Sequence, residues 1–265
     1  MHMPTVTVVL VTGAARGLGW GIARAFGLAG ARVCVTNIGS DELDGCSRNL
    51  AEDGTGHLVR VSAVADLAAC QRVVQACVER WGRLDVVVHN AIYMPPAEWS
   101  RQLQVGLDGL FNCTHAVWSQ MQAPDDGRII GVATSSSMRG FKEEIAYCTI
   151  KHGVEGFVKA LSFEAAEHNI AINTIGPGAP IKPTRMTRAE YEQTPAKQRD
   201  VWPDPVELGR AWVWLAAQPP ARFSGYRFDA GPTVATLTNE GDDFAFTPEM
   251  ATLYSDDFRE AGLVR

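Results

Sequence analysis

Six runs of five or six mostly apolar, often β-branched residues recur along the chain: VTVVLV at 6–11, RVCVT at 32–36, HLVRV at 57–61, LDVVV at 84–88, RIIGVA at 128–133 and IAINTI at 170–175. Runs with so little polar alternation suit strands covered on both faces. Between them lie segments of helical period at about 18–29, 41–52, 67–81, 98–121, 146–168 and 205–217. This alternation predicts an α/β fold: a doubly wound parallel sheet with helices on both faces and right-handed crossovers. With 265 residues and no linker, repeat or low-complexity stretch, the chain reads as a single domain. Two regions break the rhythm. Residues 178–204, rich in Pro, Thr and charge, are expected to form a substrate lid within a domain that spans 1–235. Residues 236–265 read as a polar, acidic C-terminal tail that packs on a neighbouring subunit or caps a pocket.

Charge narrows the function classes. The net charge of −6 comes without a block of like charges, so neither a nucleic-acid surface nor a basic stripe for membranes is expected. The first thirteen residues lack a basic flank and a small-residue cleavage site, and no apolar stretch approaches the ~20 residues a bilayer span needs. Cys34, Cys46, Cys70, Cys77, Cys113 and Cys148 show no C-x-x-C pairing, and the histidines are scattered. Buried reduced thiols, a cytoplasmic location and no metal site are the expectations.

The first run leads straight into TGAARGLG, residues 12–19, which opens the first helix. Glycines let the backbone turn sharply and approach a ligand closely, and the helix N-terminus beyond offers unpaired N–H groups to an anion. Gly13, Arg16, Gly17, Leu18 and Gly19 are therefore the expected cradle for the pyrophosphate of a dinucleotide. At the end of the second strand an acidic residue would hold the adenosine ribose hydroxyls, whereas a basic one would accept a 2′-phosphate. Here the sequence is TNIGSDE, with Asn37 at that place and Asp41 a little beyond. Arg16 could pair with a 2′-phosphate or be solvated. NAD and NADP both stay open, with a slight preference for NAD.

In AYCTIKHG, residues 146–153, Tyr147 and Lys151 are four apart and so share a helix face. Taken in order, TGAARGLG, HNA at 89–91, Tyr147-x-x-x-Lys151, INTIGPG at 172–178 and FSGYRFDAG at 223–231 resemble the signatures of the short-chain dehydrogenase/reductase family over roughly residues 5–235. The resemblance implies a Rossmann-type sheet of about seven strands, closed by the segment at 223–231. It also implies a dinucleotide held by Gly13, Arg16, Gly17, Leu18, Gly19, Asn37, Asn90, Ala91, Tyr147, Lys151, Pro177 and Gly178. The chemistry implied is hydride transfer between nicotinamide and an alcohol or ketone carbon, with Tyr147 passing the proton and Lys151 tuning it. Tyrosine ionises near pH ~10, so a base working at neutrality needs a fall of about three pH units, roughly 4 kcal/mol. An ammonium about 4 Å away supplies about that much at an effective dielectric near 20.

The family's serine lies thirteen residues before the tyrosine, where this chain has Thr134, with Ser135 and Ser136 as neighbours. Its hydroxyl can donate the same bond. Other departures are Gly106 for an asparagine whose helix kink serves a proton relay, Ala63 for an aspartate at the adenine, and Ile92 for the glycine after N-A. Tyr93, Met94, Met138, Arg139, Phe141, Ala179, Met186 and Trp202 are candidates for the pocket rim, suited to a medium-sized, partly hydrophobic small molecule. Arg139, Lys142, Arg185 and Arg188 could meet a carboxylate. The helices at 98–121 and 146–168 resemble the family's dimer-forming pair, which implies a homodimer or homotetramer. Two rival readings keep the fold: a non-redox dehydratase or lyase with Tyr147 as acid/base, and a nucleotide-binding protein without catalysis.

Overall fold

The structure, a computed structural model, describes residues 3, 7–95, 98–124, 126–184, 186, 188–241 and 244. Seven parallel strands form one sheet in the order β3-β2-β1-β4-β5-β6-β7. They are β1 (Val8–Thr12), β2 (Arg32–Asn37), β3 (His57–Val61), β4 (Val86–His89), β5 (Gly127–Val132), β6 (Ile170–Gly176) and β7 (Arg227–Asp229). Val6, at the start of the first expected run, lies outside the described residues.

The near-continuous apolar runs are explained by what covers them. Val9 and Val11 of β1 face a core shared with α1 (Gly17–Leu28), α2 (Ser40–Glu52), α9 (Pro205–Ala217) and α10 (Ala230–Glu240). Val8 and Leu10 face the opposite core, built with α3 (Leu67–Trp81), α5 (Gly109–Gln122) and α6 (Ile145–Ala166). Successive side chains point to opposite faces of a strand, so two covered faces demand apolar residues at every position.

The expected helix at 98–121 is broken. It comprises α4 (Trp99–Leu103), a π-helical turn at Gln104–Asp108, and α5. The expected lid carries two short helices, α7 (Arg188–Gln193) and α8 (Ala196–Arg199), with Arg185 and Thr187 outside the described residues. At the C-terminal end only Arg227–Asp229 is strand, and α10 runs on through the expected boundary at residue 235. Phe244 is 5% exposed and stacks on Trp214, ring centroids 4.9 Å apart. Of the expected tail at 236–265, residues 242, 243 and 245–265 lie outside the described residues, and with them the expectation that the tail packs on a neighbouring subunit.

Candidate active site

Strand order reverses between β1 and β4, and there the carboxyl ends of two neighbouring strands diverge to leave a crevice. Gly13 (φ +62°) and Gly17 (φ +58°) take the left-handed conformation that side chains disfavour. Asn90, next along from β4, pins the turn: its amide donates to the Thr12 carbonyl at 3.0 Å and the Gly13 carbonyl at 2.9 Å. The Thr12 hydroxyl accepts in return from the backbone N–H of Asn90 and Ala91, each at 3.1 Å. Gly19 leaves room for this contact, since a Cβ there would stand 2.3 Å from the Asn90 amide nitrogen. No side chain caps the N-terminus of α1, so its first N–H groups stay free for an anion.

A cavity of about 590 Å³ opens beside this turn, within the range of small-ligand sites. Gly13, Thr36, Asn37, Ala63, Ala91 and Ile92 are among its walls. Ala63 and Ile92, the two departures from the family pattern on the cofactor side, thus make its lining apolar. Tyr93, a candidate for the pocket rim, lines this cavity too, and its hydroxyl donates to Glu98 at 2.5 Å.

At the ribose end, Asn37 does not stand alone. Its amide donates to Glu42 at 2.8 Å, and the other oxygen of Glu42 pairs with Arg16 at 3.3 Å. The acid absent from the end of β2 is supplied by the first turn of α2. Asp41, the neighbour considered in the sequence, instead accepts from Ser40.

The chemistry end lies past the cavity, where β5 runs into α6. Thr134 follows β5 and caps a short 3-10 turn at Ser135–Ser137, its hydroxyl accepting from the Ser136 N–H at 3.1 Å. The neighbouring serines are engaged elsewhere. Ser135 is exposed, Ser136 donates to Glu144 at 3.1 Å, and Ser137 accepts from the Thr134 N–H at 3.2 Å. Thr134 is the hydroxyl coupled to Tyr147. Lys151 is 5% exposed, donates to the Val132 carbonyl at 2.6 Å, and its Nζ sits 5.7 Å from the Tyr147 ring centre. Across β6, Pro177 accepts from the Gly231 N–H at 2.9 Å and Gly178 turns with φ +61°.

The expected lowering of the tyrosine needs correction. Burial pushes the Tyr147 phenol up to about 12, against the Thr134 hydrogen bond that lowers it. Burial likewise brings the Lys151 ammonium down to about 8, with Glu155 opposing. The two groups share one desolvated site, and desolvation favours the neutral form of each. Lys151 is held to a backbone carbonyl over the ring, and burial is the larger influence at the phenol.

Gly106 has a steric reason. It sits in the π-helical turn, where a Cβ would come 2.4 Å from Cγ2 of Ile150 on α6, so this packing has no room for an asparagine. Such turns recur at functional sites. The Gly106 carbonyl faces His89, which is 3% exposed and which burial holds neutral, down to about 3.

Residues that sequence reasoning passed over are Glu42, Glu155 and Arg227. For Glu155 a signal was present: it follows Lys151 by four positions and Tyr147 by eight, on a helix face that otherwise buries apolar residues. Among the described residues no group of three or more His, Cys, Asp or Glu side chains could hold a metal.

Residues 7–195 match the family described as short chain dehydrogenase. The chain is 33% identical over 232 residues to acetoacetyl-CoA reductase of Paracoccus denitrificans, covering 82% of this chain and 93% of that one. It is 29% identical over 232 residues to D-threitol dehydrogenase of Mycolicibacterium smegmatis, covering 82% and 88%. A variant of actinorhodin polyketide ketoreductase solved with NADPH superposes with a TM-score of 0.74 at 28% identity, covering 86% of this chain and 97% of that one. The glycine turn at the switch point, the Thr134–Tyr147–Lys151 cluster and a match over most of the chain agree: the protein belongs to the short chain dehydrogenase family of NAD(P)-dependent oxidoreductases.

Proposed function

We propose that this chain reduces a ketone on a medium-sized, partly hydrophobic small molecule to a secondary alcohol, with Tyr147 as the proton donor and NAD(H) as the preferred dinucleotide. One observation carries the reading: the Tyr147 phenol, hydrogen-bonded to the Thr134 hydroxyl and raised by burial, enters the reaction as an acid with a proton to give. A substrate oxygen lying between the two hydroxyls receives hydrogen bonds from both, and the phenol passes its proton as negative charge develops there. When bound, the nicotinamide supplies the hydride. Lys151 orients the site from below and steadies the phenolate left behind. Gly13, Arg16, Gly17, Leu18 and Gly19 cradle the pyrophosphate, Asn37 and Ala91 border the adenosine half, Asn90 braces the turn, and Pro177 and Gly178 flank the nicotinamide. Two relatives named as reductases support the direction.

The preference for NAD rests on Glu42. Its carboxylate is already shared between Asn37 and Arg16, so it is poised to accept from ribose hydroxyls and repels a 2′-phosphate. The Arg16 that could have received that phosphate is paired with the same acid.

Exposed apolar side chains on α5 and α6, among them Phe111 at 54% and Ile145 at 77%, support a homo-oligomer built through these helices. No helix among the described residues is long and apolar enough to cross a membrane, and all six cysteines are free, which supports a cytoplasmic enzyme. The test is oxidation of NADH and NADPH followed at 340 nm over a panel of ketones. Turnover with NADH ahead of NADPH is expected, and dinucleotide binding without turnover on any ketone defeats the reading.

A further inference from the structure

More charge is buried beneath the tyrosine than the proton transfer itself uses. Glu155 and Arg227 are each 3% exposed. Glu155 Oε1 accepts from Arg227 Nη1 at 2.9 Å, and Oε2 accepts from the Thr174 hydroxyl at 2.8 Å. The same Nη1 donates to the Thr134 carbonyl at 3.2 Å, and Nη2 reaches Asp229 at 3.4 Å. Arg227 on β7 therefore ties the end of β5 to α6. Glu155 stands one helical turn beyond Lys151 and two beyond Tyr147, so the three share a face of α6. A buried ion pair is a poor way to gain stability, because desolvation offsets the attraction and apolar residues of equal volume pack as well. Its retention under a reactive pair points to a role in the chemistry.

We propose that Glu155, clamped by Arg227, is a positioning residue for the reaction: its carboxylate holds Lys151 as the ammonium beneath Tyr147, and its ion pair fixes the Thr134 backbone against the same helix. This rests on the function proposed above. The groups around Lys151 are few. From α6 come Tyr147 and Glu155, from β4 the neutral His89, from β5 the Val132 carbonyl, and from β7 Arg227, which is already paired. Glu155 is the anion that opposes burial, so removing its charge leaves the desolvation of Lys151 unopposed.

Glu155→Gln keeps the shape and both partners, since the Thr174 hydroxyl can turn from donor to acceptor. Thr174→Val removes one bond to Glu155 and leaves the charge, which makes it the structural control. With 13C at lysine Cε, the resonances of Lys142, Lys151, Lys159, Lys182 and Lys197 report titration in the cofactor-free protein, and Lys151→Met assigns the one of interest. Lys151 is expected to lose its proton about one pH unit lower in Glu155→Gln than in the unaltered chain or Thr174→Val. Three coincident titrations overturn the proposal. In turnover, the alkaline fall of kcat in Glu155→Gln is expected to begin about one pH unit earlier, with the KM for dinucleotide unchanged. A loss of kcat equal at every pH overturns it as well. Should Glu155→Gln not fold, Glu155→Asp withdraws the carboxylate by one methylene and carries the same expectation with a smaller displacement. An unaltered chain that turns over no ketone defeats the proposed function, and the lysine titration then decides this inference alone.

Discussion

The two ends of the crevice are built by opposite means. At the end proposed for adenosine, backbone supplies most of what a ligand would meet: glycines in left-handed turns, free helix N–H groups and a partly apolar cavity wall, with one exposed charge pair, Arg16 and Glu42, at the rim. At the chemistry end, side chains are packed into the fold: three ionisable groups, Tyr147, Lys151 and Glu155, follow one another at successive turns of α6, and Arg227 of β7 pairs with the last of them. The first arrangement recognises a charge that arrives with the ligand. The second stores charge before any ligand arrives, and desolvation sets the protonation of its groups. Substitutions at the first end should thus alter which dinucleotide is used, and those at the second should alter rate and pH dependence.

The sharpest way to break this contrast is Tyr147→Phe. Loss of a general acid costs about 10²–10⁴-fold, so kcat should fall by at least about a hundredfold while dinucleotide binding, read by fluorescence, is spared. If binding collapsed together with kcat, the two ends would not be separable. Next in size is Gly106→Asn. The new side chain meets Ile150 at 2.4 Å, and overpacking of that kind costs about 1–3 kcal/mol, measurable as a lower midpoint in urea. In an Ile150→Ala background, itself destabilised by the buried volume it loses, the further cost of Gly106→Asn should largely vanish.

Lys151→Met probes the cost of stored charge. The fall from 10.5 to about 8 corresponds to about 3 kcal/mol of desolvation, partly offset by about 1 kcal/mol from the bond to Val132. Lys151 has a depressed pKa when folded. Its penalty is complete below pH 8, fades as pH rises from 8 towards 10.5, and is absent above that. The variant should accordingly be about 2 kcal/mol more stable than the unaltered chain at pH 7, with the gain gone near pH ~10.5, and inactive at both. Equal stability at pH 7 would contradict the burial argument. Smallest is Glu42→Gln, which should shift the NADH-to-NADPH ratio of kcat/KM by up to about fivefold towards NADPH, as expected from releasing one exposed, partly screened charge.

What could be read in advance follows from where each signal lives. The strands were legible because both faces are covered, which writes apolar character at most positions of β1, β4 and β6. The π-helical turn was hidden: one extra residue per turn leaves the helical period on either side of Gly106 nearly intact. α10 was hidden because Gly231 and Pro232 interrupt a helical reading, although both sit in its first turn, where proline's missing N–H has no partner to lose. In the site, Tyr147 and Lys151 were legible by spacing and Thr134 by its distance along the chain. Glu42 was not, since it depends on α2 beginning at Ser40 so that its first turn bends back to Asn37. The protonation of Tyr147 was misjudged because the charge of Lys151 can be counted in a sequence, whereas the depth of the pair cannot.

The ring of Phe244 lying on Trp214 has a practical consequence for anyone trimming this protein. A truncation at residue 235, where the composition turns polar, would cut α10 in half and strip the lid from a tryptophan that is 1% exposed. The shortest version worth expressing keeps every residue through Phe244.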